Sequence, residues 1–259
     1  MSDPILQTID GPIATVVLNN PDKMNALTLD AWAGLGRVIA ALSENTDLRC
    51  VVIRGAGDKA FCAGADIADF VESRADAAQA RGYGAVVAET LNALVGCLHP
   101  TVAVIQGACT GGGLEIACCC DIRISNASSR FGVPINRLGH AFAYPEMAPV
   151  VAAVGRRMVL ELLLEGRIMD SDEAERCGLV NRVVVDKDLD AEAEAMAGRI
   201  AEGAPLANRA TKKFLNRLLD PTPLTREELD EAYELCDSED YAEGMRAFLA
   251  KEKPDFKGR

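Results

Sequence analysis

In TVAVIQGACTGGGLEIACCCD (residues 101–121) a β-branched run ends at Gln106, glycines follow, and a small-residue helix is expected to start near Gly112. The first N–H groups of a helix lack partners, and glycine lets a ligand come close to them. Amides aimed at a carbonyl oxygen stabilise the negative charge that gathers there in enolate or tetrahedral chemistry. Glu115, one helical turn on, would stand near the same point as a general acid or base. The same glycines also fit plain close packing beside a solvated glutamate, and the local pattern does not choose between the two. A second stretch, GAGDKAFCAGADIADF (55–70), leaves the strand-like CVVIR through small residues. Alone it reads as a loop before a helix capped by Asp66. Two such turns in one chain are better explained together, because an oxyanion hole takes donors from separate segments.

Other glycine chemistry does not fit. The run is not a G-x-x-x-x-G-K-[ST] loop, GYGAVV (82–87) lacks the third glycine of a dinucleotide fingerprint, and no G-x-S-x-G is present. Nucleotide hydrolysis, dinucleotide binding and serine-triad hydrolysis all lose ground.

The elements that must position these turns alternate. IATVVLNN (13–20), CVVIRGA (50–56), TVAVIQG (101–107), IRISN (122–126) and RVVVD (182–186) read as strands. Thr28 caps a helix whose Trp32, Leu35, Ile39 and Leu42 share one face, and a second amphipathic helix is expected from Tyr83 to Leu98, before Pro100. The class is α/β. After about Asp186 the chain turns helical, with a capping box at Thr225 and Glu228. Two regions are expected, a core over 1–190 and a helical region over 191–259.

Composition narrows the classes further. The formal charge of −12 repels polyphosphate, so nucleic-acid binding on a broad basic face is not expected, and an anionic ligand needs a local positive pocket. The nine cysteines are odd in number, include the adjacent Cys118, Cys119 and Cys120, and form no C-x-x-C. They read as small buried residues in a reducing compartment, and His99 and His140 lack ligand spacing, so no metal is expected. The N-terminal MSDPILQTIDG shows no basic-then-apolar signal, and no uncharged stretch is long enough to span a membrane. A cytoplasmic protein is expected.

Several stretches together resemble the crotonase (enoyl-CoA hydratase/isomerase) superfamily. They are NNPDKMNAL (19–27), FCAGADI (61–67), GACTGGGLEIACCCDIRI (107–124), FGVPINRLG (131–139), EAERCGLVNRVV (173–184) and the tail from DSEDYAEGM onward. The resemblance implies a ββα spiral core with a C-terminal helical trimerisation region, assembling as a trimer or a dimer of trimers. It also implies acyl-coenzyme A thioester substrates and no permanently bound cofactor. Carried across by residue, the oxyanion hole falls on the backbone N–H groups of Ala65 and Gly112, and the catalytic acid on Glu115. The adenine-contacting loop falls on Ala63, Asp66 and Ile67. Lys23 falls beside the coenzyme phosphates, and Lys253 and Phe256 near the nucleotide; each of these three also fits a solvated surface position.

Hydratases of this family use two glutamates around one water. The second aligns with Ile135, and Phe131, Gly132, Pro134 and Gly139 hold the register, so no gap supplies it. Asn136 is adjacent but cannot serve as a base. Isomerases favour an acid at the same position. Four readings stay open: Glu115 acting alone; a group entering from GHAFAYPEMA, with His140, Tyr144 and Glu146 as candidates; an acyl-CoA decarboxylase or thioester hydrolase; or a non-catalytic acyl-CoA-binding or assembly subunit. The leading reading is an enoyl-CoA hydratase/isomerase-like lyase lacking the second glutamate, slow in hydrating crotonyl-CoA.

Overall fold

The computed structural model describes residues 3–259, those at 70–72 by their backbone. Strands β1 (Ile5–Asp10) and β2 (Ile13–Leu18) form an antiparallel hairpin. Helix α1 (Leu29–Glu44) follows, and the Thr28 side chain accepts from Ala31 N at its start. Its buried face is the expected one, with Trp32, Leu35, Ile39 and Leu42 in the core.

Three strand–strand–helix turns come next. The first is β3 (Cys50–Gly55), β4 (Ala60–Cys62), then α2 (Ile67–Ser73) and α3 (Ala77–Val95). The second is β5 (Thr101–Ile105), β6 (Ala108–Thr110) and α4 (Gly112–Cys119). The third is β7 (Ile122–Asn126), β8 (Arg130–Gly132) and α5 (Tyr144–Glu165). Each turn gives its first strand to a six-stranded sheet of order β1-β2-β3-β5-β7-β10 and its second to a four-stranded sheet, β4-β6-β8-β9. Strands β9 (Ile168–Asp170) and β10 (Arg182–Val184) complete the sheets, with α6 (Ser171–Arg176) between them. Pairing from β2 through β10 in the larger sheet is parallel, so each strand is followed by a crossover, as α/β alternation requires.

The tail is helical: α7 (Leu189–Glu202), α8 (Pro205–Arg217), α9 (Arg226–Glu234) and α10 (Glu239–Ala250). Both halves of the Thr225/Glu228 capping box form. The expected boundary at 190/191 falls inside α7, whose Leu189, Ala193, Met196 and Ala197 cover one face of the larger sheet against Val52, Val102 and Val104. Polar ties hold the tail down: Lys212 Nζ lies 2.9 Å from Asp121 and donates to His99 O, and Arg209 donates to Thr46 O and Leu48 O.

Helix α3 starts six residues before the expected Tyr83, because Asp76 accepts from Ala78 N and Gln79 N. Helix α5 carries a break at Gly155, whose φ is +73°. Seven of the nine cysteines are buried among the core side chains; Cys177 is half-buried and Cys236 exposed. Among the described residues, no helix is long and apolar enough to cross a membrane.

Candidate active site

Where the small sheet meets α4, two turns come together. The first, 63–66, lies along residues 24–27: Ala63 N donates to Met24 O at 3.0 Å, Leu27 N to Gly64 O at 2.8 Å, and Asp66 N to Leu27 O at 2.9 Å. Leu27 and Ala65 form a parallel bridge, in which Leu27 bonds through the residues on either side of Ala65. The Ala65 N–H therefore faces away from that segment, and among the described residues it meets no acceptor. The second turn starts α4. Gly111 N donates to Gly132 O at 2.9 Å, and Leu114 N and Glu115 N both donate to Gly111 O. Gly112 N–H, an orphan of the first helical turn, has no acceptor among the described residues either.

Glycine brings the turns into contact. Gly64 sits at φ +100°, and a Cβ there would lie 3.0 Å from Gly112 N and 3.1 Å from Thr110 O. A Cβ on Gly113 would lie 2.1 Å from Cys62 O, so α4 begins directly on the end of β4. Thr110 Oγ1 donates to Ala63 O across the same junction. Close packing and an exposed pair of amides thus coexist, and the alternative of a solvated glutamate is lost: Glu115 is 6% exposed.

Ala65, Gly112 and Glu115 line one cavity of about 180 Å³. That is comparable to the ~150 Å³ of an engineered apolar cavity that admits benzene. Its walls include Trp32, Val87, Val133 and Leu138, together with Ile135 at the position where a second acid was sought. The cavity contains a second carboxylate all the same. Glu146, in the first turn of α5, is 5% exposed and lines the cavity with Glu115.

Burial, first, and then the negative charge of Glu146 push the Glu115 carboxyl well above the usual range, with Arg74 acting in the opposite sense. Glu146 Oε2 accepts from Ala143 N at 3.0 Å, and its Oε1 lies 3.9 Å from Arg74 Nη2. Arg74 also meets His140 Nε2 at 2.7 Å and stacks over the Tyr83 ring, 4.0 Å from its centroid. Burial pushes the Tyr83 hydroxyl up to about 12, so it holds its proton at neutral pH. Arg74, between α2 and α3, and Tyr83, in α3, both line the cavity, and sequence reasoning singled out neither as a site residue.

Of the other candidates, Ala63 and Ile67 line the cavity. Asp66 pairs with Lys23 at 2.5 Å, and that hydrogen bond holds its carboxyl below the usual range. Two of the three candidates in 139–148 do not line this cavity. Tyr144 is 90% exposed as the first residue of α5, and half-buried His140 meets Arg74, which lines the cavity, without lining it itself. Lys253 pairs with Glu202, Phe256 O accepts from Arg49, and neither side chain lines the cavity.

A family model described as enoyl-CoA hydratase/isomerase matches residues 8–259. The chain belongs to that family. A crotonyl-CoA hydratase of Syntrophomonas wolfei is 35% identical over 247 residues, 94% of each chain. A short-chain-enoyl-CoA hydratase of Clostridium acetobutylicum is 34% identical over 96% of each. Among solved structures, an enoyl-CoA hydratase/carnithine racemase from Magnetospirillum magneticum superposes with a TM-score of 0.98 at 52% identity, covering 100% of this chain and 97% of that one. The family's α/β fold and its place among enoyl-CoA hydratase/isomerase-like acyl-CoA enzymes follow. These relatives do not favour the decarboxylase, hydrolase or binding-only readings.

Proposed function

We propose that the chain is a lyase acting on short, apolar enoyl-CoA thioesters through an enolate. The thioester oxygen accepts from Ala65 N–H and Gly112 N–H, and the charge that builds on it is what these amides stabilise. Glu115, whose burial favours the carboxylic acid form, exchanges the proton at Cα. A cavity of about 180 Å³ with apolar walls suits a few carbons rather than a long chain. Ala63 and Ile67 at its rim, with the Lys23–Asp66 pair behind them, support a coenzyme A moiety as part of the substrate. Lys253 and Phe256 would reach the nucleotide only from outside the cavity described. No permanently bound cofactor is needed.

The C-terminal helices are read as the surface for self-association, as a trimer or a dimer of trimers. They leave Leu215, Leu218, Leu219, Phe248 and Leu249 between 61% and 80% exposed, more apolar surface than a solitary helix face has reason to show. A cytoplasmic location accords with the buried free thiols.

The observation that carries the reading is the pair of acceptor-free amides, from two separate turns, lining the cavity that holds Glu115. Crotonyl-CoA and related enoyl-CoA esters are incubated with the protein and followed by mass spectrometry for water gain. Butyryl-CoA in deuterated water reports enolate formation as exchange at Cα, with or without hydration. A protein that catalyses neither is not this enzyme.

A further inference from the structure

We propose that Glu146 is the second catalytic carboxylate of this site, entering from the N-terminus of α5, and that Arg74 is its positioning partner. The inference rests on the acyl-CoA reading above and deepens it.

Three observations carry it. First, Glu146 and Glu115 line the same cavity, and both are buried, at 5% and 6% exposure. The acid absent at residue 135 is therefore replaced within reach of the same space, from a different element. Secondly, Glu146 is fixed. Its Oε2 is committed to Ala143 N–H, the returning half of a capping box, which sets the rotamer. Its Oε1 stands 3.9 Å from Arg74 Nη2, beyond hydrogen-bond reach, so among the described residues this oxygen keeps its lone pairs open to a water. Thirdly, the surroundings of the two acids differ in kind. Glu146 sits in the first turn of α5 with the Arg74 guanidinium 3.9 Å away. Glu115 has burial and the Glu146 charge, both of which favour the carboxylic acid. Two carboxyls that share one cavity in such different surroundings can divide the work of base and acid. His140 and Tyr83 face Arg74 and hold it in place.

The step balances without an external oxidant or reductant. Glu146 takes a proton from water as the water oxygen bonds to Cβ. The pair from the C=C bond moves toward Cα and the thioester oxygen, and Cα then takes the proton of Glu115. Glu146 ends protonated and Glu115 ionised, and one proton passing from the first to the second restores the site. The sum is addition of one water. Hydration of crotonyl-CoA is then expected to be efficient, contrary to the expectation drawn from Ile135 alone.

A purely structural Glu146 would only cap α5, and glutamine caps nearly as well. Glu146→Gln separates the two roles. The expected result is a fall in crotonyl-CoA hydration of about 10²–10⁴-fold, the usual worth of a general base. Exchange at Cα of butyryl-CoA, which begins with proton abstraction by the ionised fraction of Glu115 and uses the amides, should fall less than about tenfold, since removing the Glu146 charge favours that fraction. Hydration within tenfold of the native rate overturns the proposal, and so does equal loss of both activities in a folded variant. Should Glu146→Gln not fold, Glu146→Asp keeps the charge but withdraws it by one methylene; undiminished hydration there also overturns the proposal. Arg74→Gln should lower kcat for hydration well beyond its effect on exchange at Cα of butyryl-CoA, because Arg74 orients Glu146 rather than Glu115; equal effects on both activities remove Arg74 from the role. A native protein inert in the exchange assay would instead sink the acyl-CoA reading beneath this one, and the proposal with it.

Discussion

Gly64→Ala tests the junction of the two turns. The native backbone there is at φ +100°, a conformation that costs an L-residue about 1–3 kcal/mol. The added methyl would lie 3.0 Å from Gly112 N and 3.1 Å from Thr110 O. Both neighbours are main-chain atoms in hydrogen-bonded segments, so neither can swing aside as a side chain would. With strain and crowding together, a loss of about 2–3 kcal/mol is expected, or roughly 4–12 °C in melting temperature for a chain of this size. The larger effect should be on rate. The methyl either stands beside the Gly112 N–H or forces the turns apart, and losing one donor to a developing oxyanion costs about 10²–10³ in kcat. Gly111→Ala is the control: at φ +52° it is also strained, but its Cβ has nothing nearer than 3.8 Å. Melting curves and crotonyl-CoA kinetics of the pair decide the matter. If Gly64→Ala melts early yet keeps its kcat, the Gly112 amide does not face the transition state, and the reasoning fails.

Other outcomes follow from the same geometry. Glu115→Gln should abolish both hydration and exchange while making the protein more stable near neutral pH. Because the folded state holds the Glu115 proton more tightly than the unfolded state, stability falls as pH rises from the ordinary 4.5 toward the raised folded value, and the glutamine variant escapes that fall. Denaturant unfolding at pH 5 and pH 8 should show the gap between variant and native protein widening at the higher pH; a constant gap would contradict it. Gly198→Ala, inside α7 with nothing within 4 Å of the new Cβ, should stabilise by about 0.5–1 kcal/mol, read as a raised melting temperature. Lys23→Met should raise KM for the CoA ester several-fold with kcat little changed; an unchanged KM assigns Lys23 to solvent.

Local rules made part of the molecule legible. Thr28 and the 32/35/39/42 face specify α1 by themselves, since a cap and a 3.6-residue period are properties of short stretches. The small sheet was not legible: β4, β6, β8 and β9 have three residues each, too few for alternation to show. Helix α5 was hidden by Pro149 and Gly155, which punctuate its pattern. At the site, Glu115 and the glycine turns stand together in sequence and could be found. Glu146 could be named only as one of three candidates in its loop, because its burial depends on the packing of α5 over the cavity. A lone Arg74 between two helices carries no local signal. Only its guanidinium, placed among Glu146, His140 and Tyr83, gives it meaning.

The buried thiols on and around α4 have a further effect. Burial pushes Cys62 and Cys118 up to about 12, so near pH 7 both stay as thiols. Peroxide and alkylating agents consume thiolates, and they would meet the exposed Cys236 first and the half-buried Cys177 next. A reagent that marks Cys236, and Cys177 more slowly, in native protein and the seven buried thiols only on unfolding would make the chain its own reporter of opening, and the region around α4 would pass through oxidative stress chemically unchanged.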